Sequence, residues 1–181
     1  MTCSPSAELR HPETPCTHSH EPTTGCRPTP FARVVKVSDP LTGYVRVKAV
    51  CVFGHEGRIL AIDGFDPTKR DRFWVPIGGR VEFGETSRHA ITREVNEELS
   101  ADVSDLVLLG VLENIFTFDG GNGHEIVFVY DGQLADQSIY ERTSVSGLED
   151  NGQQFIARWI DPRNPEYGRP VYPDGLVDLL I

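Results

Sequence analysis

Glu94, Glu97 and Glu98 stand at i, i+3 and i+4 inside the run from Thr86 to Leu99. At about 100° per residue, a helix turns three such carboxylates into an arc about a quarter of its circumference wide. Like charges at that spacing repel, and a helix gains nothing by gathering them unless a cation neutralises the cluster. Hard carboxylate oxygens suit magnesium, with manganese as the alternative; such ions keep several waters and bind substrate phosphates beside a few protein ligands. Taken alone, the triplet fits a solvated acidic face better, because Glu runs are common on exposed helices.

The flanking residues shift that balance. Upstream, Gly78-Gly79 removes side chains where the backbone must turn sharply and leaves a carbonyl open to an ion. Glu85 lies eight residues before Arg93, at the mouth of the helix, where an ion pair would hold the incoming loop against it. Loop and helix together would make a preformed site.

Gly79, five residues, Glu85, seven residues, then Arg93-Glu94-Val95-Asn96-Glu97-Glu98 resembles the Nudix box of the Nudix hydrolase superfamily, MutT-like and without a subfamily marker. Every charged position of the pattern is filled. The departures come at its end, where the family's usual Gly is Ser100 and the next bulky apolar residue is Ala101. If Ser100 ends the helix in a left-handed conformation, the cost is about 1 kcal/mol and no ligand is lost.

The resemblance implies an α/β protein: a Nudix-like α/β/α sandwich with a mixed sheet and one central catalytic helix. It implies metal ligation by Glu94, Glu97, Glu98 and the Gly78 carbonyl, catalytic roles for Glu94 and Glu97, and structural support from Glu85, Arg93 and Gly79. A general base must also take a proton from water. The family draws it from the box or from a later acid, and the later candidate is Glu125, beside His124 after the Gly-rich run Asp119–Gly123. An acid at a strand start is equally served by plain solvation, and His124 fits a polar strand-end residue. Phe73 and Trp74 could stack a base, although aromatics in a short strand are more often core. The window Phe116-Thr117-Phe118-Asp119 carries neither the Pro nor the Tyr that marks certain subfamilies.

The elements that must position these groups read as follows. Tyr44 to Val52 alternates as a strand that starts wet and ends buried, and Arg58 to Ile62 follows the turn His55-Glu56-Gly57 as its hairpin partner. Asp63 to Arg72 is polar, contains Pro67 and reads as a loop. Phe73 to Ile77 is a short strand stopped by Gly78-Gly79, with Arg80-Val81-Glu82 as another. The helix is capped by Thr86 or Ser87 and buries Ile91, Val95 and Leu99. Strands are then expected over Val107–Leu112, Ile115–Phe118, Glu125–Leu134 and Gln154–Ile160, with a short closing helix over Asp174–Leu180.

The 181 residues accommodate one domain with a real core, placed at 41–181. Residues 1–40 hold seven of the 13 prolines with few apolar residues before Phe31, a composition that cannot offset its ordering entropy and so predicts a disordered leader. Within it Cys16, His18, His20 and Cys26 offer zinc-type ligands, but their spacing matches no common paired-ligand arrangement. The leader's charges cancel, so the net −10 belongs to the domain. An acidic body disfavours nucleic acid and anionic membranes, while a small anionic substrate remains compatible through a bridging metal. No run approaches the length of a membrane helix and no secretory signal is evident, which predicts a cytoplasmic protein.

Together these readings imply a metal-dependent hydrolase that cleaves the diphosphate linkage of a nucleoside triphosphate or sugar nucleotide, with a homodimer as a common family state. The competing reading is a Nudix-fold sensor or interaction module that binds a nucleotide without cutting it.

Overall fold

A computed structural model describes residues 43–149 and 152–180. The Pro-rich leader and its Cys16/His18/His20/Cys26 group lie outside the described residues. Strands β1 (Arg46–His55), β2 (Arg58–Asp66) and β3 (Asp71–Arg80) precede helix α1 (Ser87–Leu99); β4 (Val103–Phe118), β5 (Gly121–Leu134), β6 (Ser144–Leu148) and β7 (Gln154–Ile160) follow it. They form a seven-stranded sheet in the order β4-β5-β1-β3-β2-β7-β6. Among the described strands only β1 and β5 pair in parallel, so the sheet is mixed and the class is α/β.

Alternation along β1 separates two cores. Ala49, Cys51 and Phe53 pack with Ile91 and Val95 of α1, whereas Val50 and Val52 pack with Trp74, Val127, Val129 and Leu176. The β1–β2 turn is the expected one, because Glu56 (φ 49°) and Gly57 (φ 76°) adopt the paired positive φ of a two-residue hairpin turn. Among the described residues no helix is long and apolar enough to cross a membrane.

Several boundaries differ from expectation. The polar stretch Asp63–Arg72 is largely hairpin: Asp63 pairs with Trp74 and Gly64 with Phe73. Its charges are satisfied by ion pairs from Arg72 at 2.9 Å and Arg169 at 3.2 Å to Asp63 rather than by a solvated loop. Gly78-Gly79 does not stop a strand; both lie inside β3, opposite Val50 and Ala49, where β3 changes partner from β2 to β1. The two strands expected across 107–118 are one, β4, with irregularities after Ser104 and Leu108, because Glu113 and Asn114 continue the ladder opposite Ile126 and Glu125. β5 starts at Gly121, so the Gly-rich run is a tight turn and not a long loop. The closing helix is only a 3₁₀ turn, Val177–Leu180, since Pro173 and Gly175 (φ 83°) leave too few residues for an α-helix to nucleate.

Candidate active site

The loop from β3 enters α1 through Thr86, whose side chain accepts from the His89 N–H at 3.2 Å. The helix ends on Ser100 in the left-handed region (φ 53°, ψ 38°), donating to the Asn96 carbonyl. Ala101 then turns inward and is buried.

The face that α1 buries carries Ala90, Ile91, Glu94, Val95 and Glu98. The three acids are therefore not equivalent. Glu94 and Glu98 are only 4% and 5% exposed, whereas the Glu97 side chain is 46% exposed. Leu99, expected in the buried stripe, is half-buried.

The two glycines explain how carboxylates come to lie under a helix. At Gly79 an added Cβ would fall 2.2 Å from Glu94 Oε1, so the bare backbone is what admits that carboxylate. At Gly78, φ is +138° and a Cβ would fall 2.2 Å from the Ala49 carbonyl oxygen, so the sheet itself demands glycine there. The Gly78 N–H also donates to Glu98 Oε2 at 3.3 Å.

Arg93 ties this arrangement together. Its Nε and Nη2 each lie 3.1 Å from the two oxygens of Glu85, and Nη2 also donates to the Arg80 carbonyl at 3.0 Å. Glu85 in turn accepts from the Glu82 N–H at 3.1 Å. Arg93 Nη1 reaches further than the residue spacing suggested, to Glu97 Oε2 at 2.8 Å and Glu94 Oε1 at 3.1 Å. The side-chain hydrogen bond to Arg93 holds the Glu85 carboxyl below its ordinary range, and the same bond raises Arg93.

Glu98 lies at the other extreme. Burial, followed by the charges of Glu149 and Glu94, pushes its carboxyl up to about 8 against the smaller pull of the Gly78 N–H and Lys48. Glu149 has no place in the motif, and nothing in its local sequence distinguishes it. Tertiary structure brings it in: Gly147 of β6 lies so close to the Glu98 carbonyl that a Cβ would approach within 2.7 Å, and Glu149 follows two residues later.

Glu125 lies elsewhere. It is 7% exposed, sits within β5 and accepts from Arg46 at 2.8 Å. Its strand neighbours Val127 and Val129 belong to the core on the face away from α1. His124 is half-buried and contacts Glu113 at 2.8 Å. Trp74 is core at 1% exposure, while Phe73 meets Phe118 edge-on at 6.2 Å.

Glu94 and Glu98, two carboxylates held against the backbone of Gly78-Gly79, have the donor chemistry that a hard divalent cation requires. They do not form a closed cage: among the described residues no group of three or more His, Cys, Asp or Glu side chains is gathered closely enough to hold an ion.

A family model described as the NUDIX domain matches residues 43–170, more than half of the chain. The chain belongs to the Nudix family. Its fold is similar to that of a MutT Nudix hydrolase from Burkholderia pseudomallei, at 21% identity and a TM-score of 0.55, covering 76% of this chain and 98% of that one. It is also similar to a Nudix hydrolase from Nitrosomonas europaea, at 17% identity and a TM-score of 0.52, covering 76% and 86%. No curated protein matches it in sequence. Family membership supports a Nudix-type pyrophosphohydrolase.

Proposed function

We propose that this Nudix protein is a divalent-metal-dependent hydrolase that cleaves the diphosphate linkage of a nucleoside diphosphate derivative, a nucleoside triphosphate or a sugar nucleotide. The observation that carries the proposal is the burial of Glu94 and Glu98 against the side-chain-free backbone of Gly78-Gly79. Burying two carboxylates this close together costs stability even with Arg93 on Glu94, so their placement points to a use other than stability.

Glu94, Glu98, the more exposed Glu97 and the Gly78 carbonyl would hold magnesium or manganese. When bound, the ion supplies neutralisation of the diphosphate oxygens and acidifies water. The chain's own residues do the rest. Arg93, fixed by Glu85, holds Glu94 and Glu97 in place, which is the pre-organisation that catalysis requires. Water attacks one phosphorus, the bond from that phosphorus to the bridging oxygen breaks, and two phosphate-bearing products leave, one of them pyrophosphate for some substrates.

The water's proton goes to an acid. Two acids are candidates for it: Glu125, which pairs with Arg46, and Glu149, which follows β6 where that strand meets the end of α1. The reading extends to a cytoplasmic site of action, where such substrates are found, to a small-molecule partner rather than nucleic acid or membrane given the net charge of −10, and to a homodimer.

Glu98→Gln tests the centre of the scheme: turnover should fall by at least about 100-fold with folding unchanged. Unchanged turnover removes Glu98 from the mechanism. Tight nucleotide binding without turnover in the wild type would favour the sensor reading. Glu149→Gln and Glu125→Gln, compared by kcat against pH, separate the two acids; only the residue that takes the proton should flatten the acidic limb.

A further inference from the structure

His55, Tyr140 and Trp159 meet at the end of β1 away from the buried acids. Their ring centroids are 5.4 to 5.5 Å apart, and Tyr140 and Trp159 are stacked with 24° between their planes. Strand register gathers two of the rings: His55, the last residue of β1, pairs with Arg58, and Trp159 pairs with Leu60, two steps along β2 on the same face. Tyr140 comes from the 3₁₀ turn Gln137–Glu141. The polar ends of the larger rings are occupied by backbone. The Tyr140 hydroxyl accepts from the Leu134 N–H at 2.9 Å, and Trp159 Nε1 donates to the Arg142 carbonyl at 3.0 Å. All three side chains are half-buried, so what they present outward is flat ring surface.

A cleft of about 560 Å³ opens on these rings, within the range of about 300–1,000 Å³ usual for small-molecule sites. Its rim carries Arg58, Arg142 and Arg158 beside Glu56 and Glu141, in a chain whose net charge is −10. Arg58 and Arg158 are exposed, and their guanidinium groups have neither ion pair nor hydrogen bond among the described residues, although carboxylates share the rim. A guanidinium without a partner is a ready fork for phosphate. The cleft is separate from the carboxylates of α1. Val50 stands opposite Gly78, and His55 is five residues further along β1, about 17 Å.

We propose that this cleft is a second nucleotide site, with the base on the ring cluster and the phosphate at the guanidinium groups of the rim. An inorganic anion would leave the rings unused, and an uncharged aromatic would leave the cations unused. A nucleotide uses both, and the N–H groups of its base can donate to the carboxylates of the rim. The site needs no metal, and the inference does not rest on hydrolysis elsewhere in the chain.

In EDTA the full chain should bind a single AMP, read by equilibrium dialysis and by quenching of tryptophan fluorescence, because both tryptophans, Trp74 and Trp159, line the cleft. Adenosine and ribose 5-phosphate should each bind at least about tenfold more weakly, since each lacks one half of the ligand. Arg58→Ala combined with Arg158→Ala should weaken AMP binding at least about tenfold. Both side chains are exposed, so Tm should hold. Trp159→Phe keeps a ring for stacking and should still bind AMP in dialysis while losing most of the quench. Glu98→Gln should bind AMP as the wild type does. The inference is overturned by no saturable binding, by ribose 5-phosphate binding as tightly as AMP, or by a quench unchanged in Trp159→Phe. Binding that survives loss of both arginines, or that Glu98→Gln removes, overturns it as well. A diphosphate hydrolase that binds no AMP in EDTA would keep the proposed function and lose this site; a chain that binds AMP and cuts no diphosphate would do the reverse.

Discussion

Adjacent glycines in β3 should fail in opposite ways when each is given a methyl group. At Gly79 the new carbon would sit 2.2 Å from Glu94 Oε1 and 2.3 Å from its Cδ, the end of a flexible side chain. Ordinary contact requires the carboxylate to retreat by about 1 Å. That retreat pulls Glu94 from Arg93 Nη1, now at 3.1 Å, and a misplacement of about 1 Å in a pre-organised site costs about 100-fold in rate. Stability should change little, because nothing in the backbone has to move. At Gly78 the carbon would meet the Ala49 carbonyl oxygen at 2.2 Å and the Val50 Cα at 2.7 Å, with φ at +138°. Backbone strain and overpacking together should cost at least about 3 kcal/mol. Urea unfolding and steady-state kinetics on Gly79→Ala and Gly78→Ala check both halves. Gly79→Ala should be stable and nearly inactive, and Gly78→Ala poorly folded. A Gly79→Ala protein with wild-type turnover would show that the position of Glu94 does not matter and would refute the reasoning.

Other substitutions probe the supports. Arg93→Lys keeps the charge but loses the fork that spans Glu85, Glu94 and Glu97, so kcat should drop about 10- to 100-fold, while an unchanged kcat would reduce Arg93 to a surface charge. Ser100→Gly relieves the left-handed strain at φ 53° and should raise stability by about 1 kcal/mol in urea titrations. Asp66 is a pH-dependent staple between the β2–β3 and β4–β5 turns. Burial works to raise its carboxyl, but the N–H groups of Lys69, Thr68 and Asp119 and the Lys69 ammonium hold it below its ordinary value. A lowered folded value contributes stability above about pH 4, lost as pH falls through it. Asp66→Asn should therefore be less stable at neutral pH and lose less on acidification, as followed by unfolding between pH 2 and 7.

The segment from Gly79 to Ala101 was legible because its spacing is set by one helix and one loop. A Glu at 85 and an Arg at 93 must meet if the loop folds back, and they do, at 3.1 Å. Which of the three acids is buried was not legible. Ile91 and Val95 define the core face, but only the path of β3 beneath α1 shows that Glu94 and Glu98 follow them inward while Glu97 does not. Glu149 and the Glu125–Arg46 pair were out of reach for the same reason: they depend on β6 docking on the helix and on the register of strands distant in sequence. Polarity misled at Asp63–Arg72, where Asp63 and Arg72 are partners in a hairpin.

The central claim is tested most directly by incubating the purified chain with magnesium and a panel of nucleoside triphosphates and sugar nucleotides in ¹⁸O-water, with products identified by mass spectrometry. One ¹⁸O should enter a single phosphate-bearing product of at least one substrate, and Glu98→Gln should abolish its formation. A wild-type protein that binds magnesium yet releases no product from the panel would contradict the account.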